Sequence, residues 1–276
     1  EQKQYWLPKM VSGEVVGAIG MTEPGAGSDL QAMRTNAILQ DDHYVLNGSK
    51  TFISNGQHAD SVVLAVKTDP QARAKGVSLM LVDTHLEGFK KGTNLEKIGL
   101  HSQDTSELFF DNVKVPKNQL LGQAGQGFAY LMQELPRERT AIAATALGAI
   151  RGSIDVTTQY VQERQAFGQA IGQFQNTRFV LAQAKIDELA TAAFYNQNVE
   201  LYMQGKLDVE TAAALKSFAT DMQMKVADQL LQLFGGYGYM TEYPISRFFV
   251  DARIQRIYGG TNEIMKEIVA RGLLGR

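Results

Sequence analysis

The sequence predicts an α+β multidomain protein of two main parts: an antiparallel β-barrel, then an all-α, up-down helical bundle. Three observations predict it. Residues 14 to about 121 carry short apolar runs broken by turn residues, with no long helical pattern between them. From Gly125 onward the apolar spacing becomes helical. The long helical segments there are joined by short loops, as in a bundle. The boundary is expected near Gly122 to Gly127, giving a β part over 14–124 and a helical part over 125–276.

In chain order, Gln4 to Val11 reads as a helix, and the chain opens inside it. Val15 to Ile19 is a short apolar strand. Asn36 to Gln40 and His43 to Gly48 flank Asp41-Asp42, a hairpin pattern. Strands are expected at Lys50 to Ser54, Ser61 to Lys67, Val77 to Val82 and Glu107 to Val115, with Asn55-Gly56, Asp69-Pro70 and Glu87-Gly88 as turns. Gly127 to Gln162 is a long alanine-rich helix, which Glu134 to Arg139 is expected to break at Pro136. Asn176 to Gln204 is a second helix. Asp208 caps a third that runs to Phe234 and ends at Gly235-Gly236. Pro244 starts a shorter fourth, and Thr261 to Gly272 is the last.

Composition excludes several classes. The 276 residues are 44% hydrophobic and 20% charged, enough apolar content for a sizeable core. Net charge is −2, with dispersed Lys and Arg, so neither nucleic acid nor an anionic membrane is an expected partner. No apolar run reaches the roughly 18 residues of a membrane span, and no signal-peptide pattern is read. The absence of cysteine excludes disulfides, thiolate metal sites and a thiol nucleophile. The four histidines show no paired-ligand spacing, so no metal site is expected.

Seven stretches carry groups suited to chemistry. Thr22 to Asp29 (TEPGAGSD) is a glycine-rich loop after a strand. It is neither a dinucleotide fingerprint nor a phosphate-binding P-loop. Phe52-Ile53-Ser54 ends a strand, placing an aromatic ring and a hydroxyl on one face, able to cover a flat ring and bond a heteroatom. A core Phe beside a turn Ser is the plainer reading. Glu138 heads a helical face of Ala141, Ile142, Thr145 and Ala146, so a desolvated carboxylate with a raised pKa is one reading. A solvated cluster with Arg137 or Arg139 is the other. Arg164 to Gly168, Phe174-Gln175 and Gln232 to Gly238 supply an arginine, amides and close-approach glycines that suit a pyrophosphate and an adenine, or simply cap helices. Tyr258-Gly259-Gly260-Thr261-Asn262-Glu263-Ile264 brings bare backbone to a helix N-terminus. Alone it is an ordinary turn into a helix.

Taken in order, TEPGAGSD at 22–29, FISNG at 52–56, R-x-x-F-G at 164–168, Q-x-F-G-G-Y-G at 232–238, TEYPISR at 241–247 and YGGTNEI at 258–264 resemble the acyl-CoA dehydrogenase family of flavoproteins. The resemblance spans nearly the whole chain. It implies a middle β-barrel domain and a C-terminal helical bundle, with residues 1–13 the remnant of an N-terminal helical domain. It implies FAD as cofactor, an acyl-CoA substrate and α,β-desaturation to a trans-2-enoyl-CoA. An electron-transferring flavoprotein would accept the electrons, and the assembly would be a dimer of dimers. By position, Met21, Thr22, Phe52, Ile53 and Ser54 would face the flavin. Arg164, Phe167, Gln175, Gln232 and Gly236 would meet the FAD of a neighbouring subunit, and Thr261 and Glu263 would hold FAD at the last helix. Ser28, Arg139, Tyr258, Gly259 and Gly260 would contact acyl-CoA. The compartment would be the cytoplasm of a bacterium or the mitochondrial matrix of a eukaryote.

One departure matters. Most family members carry the base in the last motif, where this chain has Gly259. The subset resembling long-chain and isovaleryl enzymes carries it on the long helix in an E-R pair, which Glu138-Arg139 matches. Glu138 is therefore the expected base, and the absent side chain at 259 is expected to widen the cleft for longer or branched acyl groups. Ala166 stands where Thr is common. Other readings of the resemblance are an oxidase or nitroalkane-type flavoenzyme, or a non-catalytic relative.

Overall fold

A computed structural model describes residues 1–275. The chain is a mixed α+β protein with one large sheet and a helical C-terminal part. It divides into two compact units, one of residues 1–97 and 101–133, the other of 98–100 and 134–276.

The first unit opens with α1 (Gln2–Ser12), which Gly13 ends in a left-handed conformation at φ 78. The sheet is built from β1 (Gly17–Gly20), β2 (Asn36–Gln40), β3 (His43–Ser54), β4 (Ser61–Lys67), β5 (Val77–Asp83), β6 (Phe89–Asn94), β7 (Thr105–Pro116) and β8 (Leu120–Leu121). Their order is β6-β7-β3-β2-β4-β5-β8, with β1 added beside β4. The β2–β3 hairpin turns at Asp41-Asp42 and pairs Gln40 with His43. Three expectations need correcting. The sheet does not close: β6 and β8 end the ladder without pairing, so it is an open mixed sheet and not a closed barrel. It is not purely antiparallel, because β1 and β2 both meet β4 in parallel. The runs at His43 to Gly48 and Lys50 to Ser54 are one strand, which absorbs register shifts against β7 at Leu46/Gly48 and Lys50/Ile53. Strand β6, with its Lys-Lys-Gly pattern, has no apolar alternation and was not expected. Ala37, Leu46, Val62, Leu64, Met80, Leu108 and Val113 are the heart of the sheet's core, each with no exposed surface.

The second unit is helical. α2 (Gly127–Glu163) leads into a small hairpin of β9 (Gln165–Ala166) and β10 (Gln169–Ala170). α3 (Gln175–Met203), α4 (Val209–Gln232), α5 (Pro244–Gln255) and α6 (Asn262–Leu274) follow. The expected break at Pro136 does not occur: α2 runs through it. Proline removes one N–H from the ladder there, a cost that this 37-residue helix absorbs without ending. Caps follow the sequence closely. Asp208 accepts from Thr211 N at 2.6 Å, Pro244 opens α5, and Thr261 accepts from Ile264 N at 3.3 Å. α4 stops at Gln232, short of Phe234. α3 and α4 run antiparallel: Asp187 pairs with Lys225 at 2.8 Å, while Phe194 meets Phe218 with centroids 6.0 Å apart. Small residues let the helices approach, with Ala143 and Ala146 of α2 against Leu215 and Ala219 of α4. Ile150, Val226, Leu230 and Ile245 form the larger cluster.

Candidate active site

The two units contribute separate groups of site residues. In the first, the turn after β1 is clamped by a buried ion pair. Lys50 Nζ donates to Glu23 Oε1 at 2.8 Å and to Met21 O at 2.9 Å. Glu23 also accepts from Arg34 N at 2.6 Å and Thr35 N at 3.0 Å, and Thr51 N donates to Thr22 O at 2.9 Å. Burial works against the Glu23 charge. The Lys50 ammonium and the donated N–H groups nevertheless hold its carboxyl below the usual range, and burial pushes Lys50 down. The Met21–Glu23 backbone is thereby fixed beside the Lys50–Phe52 backbone.

That clamp sets the orientation of the strand end. Phe52, at a left-handed φ of 59, presents its ring 68% exposed. Ser54 is exposed as well, while Ile53 between them is buried in the sheet core. Met21 and Thr22 are half-buried and Ser28 is exposed. An aromatic ring held out without a partner beside a hydroxyl fits a flat heteroaromatic group such as a flavin.

In the second unit, a cavity of about 510 Å³ is lined by Tyr160, Arg164, Gln232, Gly235, Gly236 and Tyr237 among others. The Arg164 guanidinium lies 5.2 Å from the Tyr237 ring centroid. Space beside Gly235 and Gly236 is open, so their backbone can be approached closely. Phe167, 96% exposed at φ 51, tips the β9–β10 hairpin, and Gln175 is exposed at the start of α3. An arginine, an amide and bare glycine backbone are the donors an anionic diphosphate needs, so these residues also fit FAD.

Glu138 sits half-buried on α2. Among the described residues it makes no ion pair, because Arg137 pairs with Glu134 at 3.7 Å. Burial pushes its carboxyl above the usual range and the neighbouring Glu134 charge adds to this, against Arg139 and Arg137. Arg139 is only 3% exposed, and its Nε and Nη1 have no hydrogen-bond partner.

The glycine-rich turn before α6 is held by Lys216, which sequence reasoning missed. Lys216 is fully buried on α4 and donates to Gly260 O at 2.8 Å and Asn262 Oδ1 at 2.9 Å. Asn262 Nδ2 in turn donates to Thr220 Oγ1 and Asp221 Oδ1, both at 3.0 Å. Tyr258 OH donates to Gln255 Oε1 at 2.6 Å. Thr261 caps α6 and Glu263 is exposed in its first turn, its carboxyl held down by its own backbone N–H. The available signal was a charged residue on the apolar Ala212, Leu215, Ala219 face of α4. Burial above all, with Arg139 and Arg256, lowers Lys216 to about 8 against the opposing Asp221 and Glu263 charges. Because the folded value lies below the ordinary one, the unfolded chain binds more protons between about pH 8 and 10.5. Stability from this group is therefore expected to rise with pH across that window. Urea midpoints measured from pH 7.5 to 10.5 should show a rise in the unaltered protein that Lys216→Met lacks.

Comparison with known proteins gives the family. Residues 18–113 match the family model for the acyl-CoA dehydrogenase middle domain, and residues 125–274 that for its C-terminal domain. The chain is 47% identical over 276 residues to the long-chain specific acyl-CoA dehydrogenase of Rattus norvegicus mitochondria, matching 99% of this chain and spanning 64% of that relative's length. It is similar to the crystal structure of an acyl-CoA dehydrogenase from Geobacillus kaustophilus, with TM-score 0.97, 48% identity and coverage of 99% of this chain and 72% of that one. A chain in a structure titled as the electron transferring flavoprotein of Acidaminococcus fermentans matches with TM-score 0.96 and 40% identity, covering 100% of this chain and 72% of that one. The chain belongs to the acyl-CoA dehydrogenase family.

Proposed function

We propose that the protein containing this chain is an FAD-dependent acyl-CoA dehydrogenase with Glu138 as its base. The observation that carries the reading is the Glu138 carboxylate, half-buried, free of any ion pair among the described residues and raised by burial, in a chain of this family. Bound FAD would supply a hydride acceptor. Phe52 and Ser54 would fix its ring, with Met21 and Thr22 alongside and Ile53 anchoring the strand end. Thr261 and Glu263 would serve it at the α6 N-terminus. Arg164, Phe167, Gln175, Gln232 and Gly236 would hold the FAD of a neighbouring subunit, which makes a dimer of dimers the expected assembly. Ser28, Tyr258, Gly259 and Gly260 would contact the acyl-CoA. Arg139 would bias the charge state around Glu138.

Glu138 would take the α proton of the thioester in the step that desaturates the α,β bond. A half-buried carboxylate is a stronger base than an exposed one, and its raised pKa improves the match to a weakly acidic C–H. We further propose a middle domain over 14–124 and a helical domain over 125–276. An electron-transferring flavoprotein would be the acceptor. Among the described residues no helix is long and apolar enough to cross a membrane. The setting would be the mitochondrial matrix if the source is eukaryotic, the cytoplasm if bacterial. Anaerobic titration of the full-length protein with acyl-CoAs of several lengths tests this. Yellow flavin absorbance that bleaches stoichiometrically is expected; flavin-loaded protein that no acyl-CoA bleaches would overturn it.

A further inference from the structure

A side chain added at position 259 would meet one neighbour, Ile142, and a backbone conformation that L residues rarely adopt. Gly259 lies at φ 63, and a Cβ built on it would overlap Ile142 Cδ1, with no other residue's atoms within 4 Å apart from its chain neighbours. Ile142 is one turn beyond Glu138 on α2, so the two side chains share a helix face. Both are half-buried. The turn cannot retreat cheaply from Ile142. Gly260 O is tied to buried Lys216, Asn262 N donates to Arg256 O at 3.1 Å, and Tyr258 N donates to Ile254 O at 3.1 Å. The end of the Ile142 side chain therefore occupies the place that a Cβ at 259 would take.

We infer that Ile142 is a specificity-determining residue. Its side chain takes the volume beside Gly259 and limits substitution at the acyl carbons next to the one Glu138 deprotonates. This rests on the proposed role of Glu138. The geometry gives two consequences. Gly259 and Ile142 are a reciprocal size pair: the backbone strain of growth at 259 stays, but the overlap part of its cost is relieved when 142 shrinks. Shortening Ile142 alone opens room one helical turn from the base, where a methyl branch on the α or β carbon would sit. A pocket difference of one or two methylenes is worth roughly 10- to 200-fold in discrimination.

The test uses the full-length, FAD-loaded protein and four variants: Ile142→Val, Ile142→Ala, Gly259→Ala and the Gly259→Ala/Ile142→Ala pair. The first readout is the thermal midpoint, which needs no substrate. Gly259→Ala is expected to lower it, and Ile142→Ala in the same chain to recover part of that loss; strictly additive losses overturn the size pair. The second is kcat/KM for straight-chain, 2-methyl and 3-methyl acyl-CoAs. Ile142→Ala is expected to raise the branched-to-straight ratio by about tenfold or more, with Ile142→Val intermediate. An unchanged ratio in both variants overturns the specificity role even where the midpoints couple. Failure of the unaltered protein to oxidise any acyl-CoA would instead strike the functional reading, leaving the midpoint comparison to decide the pair by itself.

Discussion

Glu138→Gln is expected to lower turnover by about 10²- to 10⁴-fold, the usual range for loss of a positioned general base. Flavin content and acyl-CoA binding should stay close to the unaltered protein. Glutamine keeps the shape and the helix, so packing against the half-buried face of α2 changes little. What it removes is the proton acceptor. The rivals are poorly placed. Glu134 is exposed and already paired with Arg137, and Glu263 sits at a helix N-terminus where its own backbone N–H keeps its carboxyl below the usual range. The pH dependence offers a second check. Burial lifts the Glu138 carboxyl, so the rate should fall with acidity at a pH above the ordinary carboxylate value of 4.5. Pre-steady-state bleaching measured across pH separates this limb from slow product release. Normal bleaching in Glu138→Gln would reassign the base.

How far the sequence reveals this molecule depends on whether the deciding interaction is local. Asp208, Pro244 and Thr261 sit where local backbone needs dictate their type, and the helices begin beside them as read. The Asp41-Asp42 hairpin is local in the same sense. Sheet closure is not. Whether the end strands meet is set by twist and by pairings 30 or more residues apart, which no alternation pattern encodes. The uninterrupted passage of α2 through Pro136 likewise depends on what packs around it. Glu138 was singled out by the E-R pair of the resemblance; its place at the head of an apolar face left a solvated pairing with Arg137 or Arg139 open. The structure gives Arg137 to Glu134 and buries Arg139 without a hydrogen-bond partner at Nε or Nη1. Lys50 and Lys216 escaped notice because a lysine in an alternating strand or a helix usually marks solvent. Each is instead fully buried on carbonyl and carboxylate or amide oxygens. Both escaped for one physical reason: their acceptors come from chain segments 27 to 46 residues away.

Lys50→Met is expected to destabilise the protein by about 3–5 kcal/mol, the range for removing one member of a buried ion pair. The loss does not come from the Lys50–Glu23 attraction alone. Glu23 would remain buried with only Arg34 N and Thr35 N as donors, an under-compensated anion in a place where water cannot replace the ammonium. The Met21 carbonyl would lose its donor as well. Lys50→Met combined with Glu23→Gln should cost less than the sum of the two single changes, because the second removes the stranded charge. Acidity provides an independent sign. In the unaltered protein Glu23 is held below its ordinary value of 4.5, so it contributes stability above that pH which is lost as the pH falls through the folded value. Lys50→Met should weaken this acid dependence, since the raising effect of burial is then opposed by two N–H groups only. Urea midpoints from pH 7 down to about 3 for the unaltered protein, both single variants and the double variant measure all of this. If the double variant were as unstable as the two losses added, Glu23 and Lys50 would be acting independently. The turn at Met21–Glu23 would then owe its position to the Thr51–Thr22 backbone bond and not to the ion pair.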